Sequence, residues 1–221
     1  MTYRVLNREE NHIITLIMGM SDLVYKSILS SMQCLGNHDL DSAKDIIAND
    51  VFINRNLHEI EQECCILIAR QQPVARDLRT ILSDMIVAME LERIADYAED
   101  IARIVIQMNG PIKPDLMEHT NKLVQKCLHM FVDIMAAYKV GDAEAARRIA
   151  ALDDEVDADE RKVTAICLDS LCKDADDHAL LTDYAFLLRI LHDIERIGDR
   201  VTNIAERIVF IVTGEAEELN Q

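Results

Sequence analysis

Two stretches decide the reading of this chain: LERIADYAEDIARIV, residues 91–105, and IERIGDRVTNIAERIV, residues 194–209. Each sets a glutamate, an arginine, an isoleucine, a small residue and an aspartate in the same order. Glu92 answers to Glu195, an offset of 103 residues (195 − 92), about half of the 221-residue chain. The same offset pairs Ala43 with Ala146, Ile46 with Ile149, Cys64 with Cys167 and Leu78 with Leu181. It needs no gap between residues 43 and 105. Unrelated helices share a period, but they do not also share the length of a turn. The pattern is an internal duplication.

The breaks in the chain define the repeated unit. Pro73 interrupts QQPVAR, and Pro111 and Pro114 interrupt NGPIKPD. LGNHDL, KVGDAE and CKDADDH each contain an aspartate suited to cap a following helix. With 6 Gly, 3 Pro, no Trp and half of the residues hydrophobic, the chain favours long helices over strands. The spacing predicts an all-α fold of six long antiparallel helices, near residues 4–36, 39–71, 75–108, 115–139, 142–173 and 178–213. They form two tandem, similar three-helix bundles, residues 1–109 and 115–221, joined by a linker at 110–114.

The net charge of −17 weighs against nucleic acid or an anionic lipid surface as the partner, and suits cations or a basic protein patch. The N-terminus has no basic start followed by an apolar run, and runs such as IITLIMGM and CCILIA are too short to span a bilayer. No membrane insertion and a cytoplasmic location are expected. Six cysteines without CxxC spacing read as free thiols.

The third predicted helix carries Leu78, Leu82, Met85, Met89, Glu92 and Asp96 at heptad spacing. Its copy carries Leu181, Ala185, Leu188, His192, Glu195 and Asp199. The helix before each holds its own four-residue pair, Asp50 with Asn54 and Asp153 with Asp157. In an antiparallel hairpin, residues equidistant from the turn lie level. The pair midpoints, 52 and 94, average to 73, which is Pro73; in the second half 155 and 197 average to 176, inside KDADDH. The acids therefore come level across each hairpin. Level carboxylates repel unless protonated, paired with arginine or bridged by a cation. Arg93 and Arg196, one position past the glutamates, fit poorly as partners within the cluster. An all-oxygen set suits hard cations or carboxylate-bridged iron. The candidate metal ligands are Asp50, Glu92, Asp96, Asp153, Asp157, Glu195 and Asp199, with His192 one turn from Glu195. Against this stands the plain reading of ordinary acidic helix faces. Glu9-x-x-His12 matches a di-iron bundle element but has no copy in the second half.

LERIADYAEDIA, IERIGDRVTNIA, LDDEVDAD and the weaker copy NDVFINRN, in two three-helix units, resemble the PhoU family of phosphate-uptake regulators. The resemblance covers essentially the whole chain. It implies a non-enzymatic cytoplasmic regulator that connects an ABC phosphate transporter ATPase to a sensor histidine kinase and commonly forms a homodimer. It also implies clusters of iron, zinc, magnesium or manganese ions held by the ExxxD-type motifs. Two departures stand out: Asn54 where the second repeat has Asp157, and Ala95 where it has Gly198. Both make the first site the expected weaker one, with Asp100 (opposite Asn203) a source of compensating charge. A carboxylate-bridged metalloenzyme, either a di-iron oxidase or a phosphohydrolase, and a metal-free helical scaffold are the alternatives.

Overall fold

The structure, a computed structural model, describes residues 2–174 and 176–219. Three helices, α1 (Thr2–Asn37), α2 (Leu40–Gln71) and α3 (Arg76–Gln107), form the first bundle. The second comprises α4 (Pro114–Val140), α5 (Ala143–Ala150), α6 (Asp153–Lys173) and α7 (His178–Thr213). The fifth predicted helix is thus interrupted at Ala151–Leu152, so that α5 and α6 share the place of α2. There the backbone tightens: the Leu152 N–H bonds the Ile149 carbonyl at 3.0 Å, a three-residue step.

The predicted caps close the hairpins. Asp39 accepts from the Ser42 N–H (3.1 Å), Asp142 from the Ala145 N–H (2.9 Å), and Asp177 from the N–H groups of Ala179 and Leu180. The α1–α2 and α4–α5 turns each place a left-handed residue at the same repeat position, His38 (φ 52°) and Gly141 (φ 68°).

The two bundles meet along α3 and α7, which pack side by side at the centre of the molecule. Here the heptad reading needs correction. The expected seam of α3 lies at the edge of the bundle: Leu82 and Met89 are exposed, and Leu78, Met85 and Glu92 half-buried. The deep stripe is Ala88, Leu91, Ala95, Ala98 and Ala102, all fully buried; in α7 it is Leu191, Ile194, Gly198, Val201 and Ala205. A helix touched by α1, α2 and α7 at once centres its buried face where small side chains permit close approach. Glu90, itself buried, crosses this interface. It accepts from Arg93 on its own helix and from Arg200 (3.4 Å) and Asn203 (3.2 Å) of α7.

Segment Arg8–Asn37 of α1 reaches a mean hydropathy of 1.4 and is long enough to cross a bilayer, although its longest apolar run is short. Ile13, Ile17, Met20, Val24, Ile28 and Met32 repeat every three or four residues and are buried in the bundle. A core helix meets the same length and composition test.

Between the bundles, Asp84 of α3 is 1% exposed and takes a 2.6 Å hydrogen bond from the Tyr138 hydroxyl of α4. Burial pushes its pKa up to about 7 against that hydrogen bond, with Glu10 adding to the rise. The unfolded chain ionises this group near the ordinary 3.8, while the folded chain holds the proton until about pH 7. Its contribution therefore lowers stability progressively as pH rises through that interval, by on the order of 4 kcal/mol in full. Asp84→Asn keeps an acceptor for Tyr138 and removes the ionisation. Urea unfolding between pH 4 and pH 8 should show a flatter pH profile for the variant, which gains on the wild type toward pH 8.

Candidate metal centre

In the first bundle α2 and α3 bring Asp50 and Asp96 together, with Glu99 as a third member. One carboxylate oxygen from each lies within 4.8 Å of the others. Glu99 sits one turn beyond Asp96, three positions on, and the sequence reading passed over it. The ExxxD pattern continued as AEDIA points to it in retrospect. Glu92 lies near enough for Asp50 to raise its pKa, after burial, with Arg93 opposing. Partial desolvation comes first for Asp96, then Glu92, Asp50, Glu99 and Asp100; together they push it up to about 6. Burial and Glu99 raise Asp50, against the 2.6 Å hydrogen bond that the Asn54 amide donates to its Oδ2. Asn54 thus stands in the site as a donor. Asp100 reaches instead to Arg189 of α7 at 3.3 Å.

In the second bundle Asp153 lies at the first turn of α6, where the helix N-terminus favours negative charge. It is only 5% exposed. Burial, then Asp199 and Asp157, push it up to about 7; the Thr202 hydroxyl opposes the rise, and Glu195 adds to it. Thr202 occupies the repeat position of Glu99, so a hydroxyl stands in this half where a third carboxylate stands in the other. Burial and Asp199 likewise raise Glu195, whose Oε2 meets His192 Nδ1 at 3.2 Å. Asp157 pairs with Arg161 at 3.4 Å.

Arg196 corrects the sequence reading. It reaches forward three residues to Asp199 Oδ2 at 2.7 Å, and its Nε meets the Tyr97 hydroxyl of α3 at 3.5 Å. An i, i+3 step brings it back over the cluster that the i+1 comparison with Glu195 appeared to rule out. Arg93 turns to Glu90.

Among the described residues, three acids gather within 4.8 Å only in the first bundle, the half expected to be weaker. The reason is steric. Asp153 Oδ1 lies 2.6 Å from where a side-chain carbon on Gly198 would stand. The absent methyl lets Asp153 sink against the α7 backbone, and the α5–α6 interruption turns it inward. At the equivalent place Ala95 keeps its methyl, and Asp50 stays half-buried, nearer the mouth with Asp96 and Glu99.

The donor set fits a hard cation. Asp50 Oδ1 is buried and accepts no hydrogen bond. Three oxygens spread evenly around one calcium-sized ion stand about 4.0–4.5 Å apart, and about 3.5 Å around a magnesium-sized one, so the first triad would draw together to hold either. Asp50, Asp96 and Glu99, with Glu92 beside them, would hold an ion in one half, and Asp153, Asp157, Glu195 and Asp199 in the other. Of the Glu9-x-x-His12 pair, Glu9 is half-buried and accepts from the Gln71 amide at 3.5 Å, and His12 is exposed.

The comparisons agree with the repeat. A family model described as the PhoU domain matches twice, at residues 17–105 and 120–208. Both ends are offset by the same 103 residues. The chain belongs to the PhoU family. It is 31% identical over 221 residues to a phosphate-specific transport system accessory protein PhoU homolog of Clostridium acetobutylicum, covering all of both chains. It is 30% identical over 209 residues to the phosphate-specific transport system accessory protein PhoU of Escherichia coli K12, covering 95% of this chain and 86% of that one. The crystal structure of the phosphate transport system regulatory protein PhoU from Streptococcus pneumoniae superposes with a TM-score of 0.86 at 28% identity, over 96% and 99% of the two chains. That of PhoU from Pseudomonas aeruginosa gives 0.85 at 28% identity, over 95% and 99%. PhoU relatives are thus named as accessory and regulatory proteins of phosphate transport, not as enzymes.

Gly198→Ala tests the steric account. Inside an ordinary helix that change stabilises by about 1 kcal/mol. Here the methyl must displace Asp153, so thermal unfolding of chelator-treated protein should show the opposite sign, a loss on the order of 1 kcal/mol. Ala95→Gly in the first half should show only the ordinary propensity cost.

Proposed function

We propose that this chain is a metal-binding regulatory adaptor of phosphate transport, working in the cytoplasm as a homodimer between an ABC phosphate transporter ATPase and a sensor histidine kinase. The observation that carries the metal part is the triad of Asp50, Asp96 and Glu99, repeated in altered form by Asp153, Asp157, Glu195 and Asp199. Burial first, and then the crowding of carboxylates, raises the pKa of Asp96 in one group and Asp153 in the other. A divalent or trivalent cation (iron, zinc, magnesium or manganese) relieves that crowding by replacing protons. The transport role is supported by the names of relatives that match the full chain.

The site's position suits a sensor better than a catalyst. Asp96 opens to solvent at the bundle edge, and the first triad contains no histidine. A carboxylate-bridged oxidase or phosphohydrolase needs an enclosed substrate pocket and a base beside the ion. His192 meets Glu195 in the second group; in the first half Met89 takes its place, and His58 of α2, paired with Glu61, acts on Glu92 only as a nearby charge.

Elemental analysis after dialysis against each metal tests this reading. Wild type should retain metal at one or more ions per chain. Asp50→Asn/Asp96→Asn and Glu195→Gln/Asp199→Asn should each lose a distinct share, and the thermal midpoint gained on metal addition should fall accordingly. Equal metal in all three proteins would refute the assignment, and none in any of them would favour a plain helical scaffold. Removal of metal should also weaken capture of purified transporter ATPase if the ion sets the adaptor's binding state.

A further inference from the structure

The two repeats seat the arginine of their shared motif differently. In α3, Arg93 turns back three residues to the buried carboxylate of Glu90 at 3.4 Å. In α7 the equivalent Arg196 turns forward three residues to Asp199, a member of the second acid group, at 2.7 Å. The acid three residues behind Arg196 is Asp193, the repeat counterpart of Glu90. Asp193 is only 4% exposed, and its Oδ2 is buried and accepts no hydrogen bond. The pairing that Arg93 makes in one half is thus left unmade in the other.

Helix geometry keeps both acids within reach of Arg196. Three residues amount to a rise of about 4.5 Å and a turn of about 300°, so Asp193 and Asp199 flank Arg196 at about 60° on either side. An aspartate and a cation bridge that same interval elsewhere in the chain, Asp41 with Lys44 at 2.9 Å. The other charged neighbours of Asp193 are Arg189, His192 and Asp100. Arg189 is engaged with Asp100 at 3.3 Å, and His192 meets Glu195. Two opposing pulls therefore act on Arg196. Asp199 is crowded by Asp153, Asp157 and Glu195, and their summed charge draws the guanidinium forward. Asp193, desolvated and short of a donor, draws it back.

We infer that Arg196 is an exchangeable counter-ion of the second acid group, which holds Asp199 in the absence of a cation and gives it up for Asp193 when one binds. A bound cation reverses the local charge that favours the forward position. Arg196 then adopts the pairing that Arg93 already has with Glu90. The exchange takes place against α3, where the Arg196 Nε meets the Tyr97 hydroxyl at 3.5 Å. The state of the acid group is thereby carried to the contact between the two bundles. Competition from Arg196 lowers cation affinity in the second half, whereas Arg93, seated on Glu90, imposes no such cost on the first. The inference rests on the metal reading of Asp153, Asp157, Glu195 and Asp199.

The test is Mn²⁺ binding to the full chain, followed by the electron paramagnetic resonance signal of the free ion. Asp50→Asn/Asp96→Asn removes the first group, so that the second alone is titrated. In that background Arg196→Gln should bind Mn²⁺ at least about tenfold more tightly. Asp193→Asn should weaken binding at least about threefold where Arg196 is present and leave it unchanged beside Arg196→Gln. An arginine that is merely near the ion does not produce that dependence. In the Glu195→Gln/Asp199→Asn background, Arg93→Gln should alter affinity less than about threefold. Circular dichroism verifies folding, and the contrast between Arg196→Gln and Arg93→Gln still decides the matter if Asp193→Asn does not fold. A crystal structure grown with Mn²⁺ should place the Arg196 guanidinium about 3 Å from the Asp193 carboxylate. Four results overturn the inference and leave the metal reading standing: an ion on Asp199 with Arg196 still bonded there, unchanged affinity in Arg196→Gln, an equal gain from Arg93→Gln, or the same effect of Asp193→Asn with and without Arg196. Mn²⁺ binding that is indifferent to Glu195→Gln/Asp199→Asn overturns both.

Discussion

Close packing of α3 against α7 is the constraint on which the rest of this structure depends. Each is the innermost helix of its bundle, and each presents small or apolar residues to the other over most of its length. A helix buried on that much of its circumference has little room for charge. Asp84, Glu90 and Asp193 are the buried exceptions, the last two one repeat apart. Glu90 is held by guanidinium and amide groups from both helices. Several of the remaining acids are displaced to the narrow strip where α3 or α7 turns toward its hairpin partner. That strip is where Glu92, Asp96, Glu195 and Asp199 stand, and where a cation from solvent can reach them.

Duplication sets the terms for each half, and single side chains then separate them. Gly198 admits Asp153 to the backbone of α7, and Thr202 receives it. Ala95 and Glu99 at the same places hold Asp50 outward and supply another carboxylate. The outer faces diverge in the same manner. Lys126, Glu155 and Asp159 clamp α4 to α6, while Leu23, Phe52 and Asn56 at the same repeat positions leave α1 and α2 with a trough between them. Two copies of one scaffold thereby offer two ion-binding environments of unequal depth and two surfaces of unlike character.

Much of the fold was legible because its signals are local or periodic. The capping aspartates, the prolines and an ungapped offset each act within a few residues or repeat at a fixed interval. The register argument also worked across a hairpin, because antiparallel helices with a short turn leave the chain one way to align: Asp50 and Asp96 do meet. Reading which stripe of α3 is deepest was less successful. Periodicity identifies apolar faces but does not say how many neighbours cover each one, and a helix with three neighbours buries its alanines below its leucines. Arg196 and Glu99 were misjudged or missed for a related reason, since their roles depend on where side chains three positions apart converge over a partner helix.

The sequence by itself determined the all-α class, the duplicated three-helix plan and the family, because helical period, capping chemistry and repeat spacing are properties of the chain alone. The tertiary structure decided which acids share a site and how deeply each lies. It also decided that the fifth helix breaks before Asp153, and that only one of the two outer grooves is sealed. Those outcomes turn on distances of a few ångströms between residues far apart in the chain, such as the 2.6 Å between Asp153 Oδ1 and the missing methyl of Gly198. Sequence spacing does not encode such distances until the helices have packed.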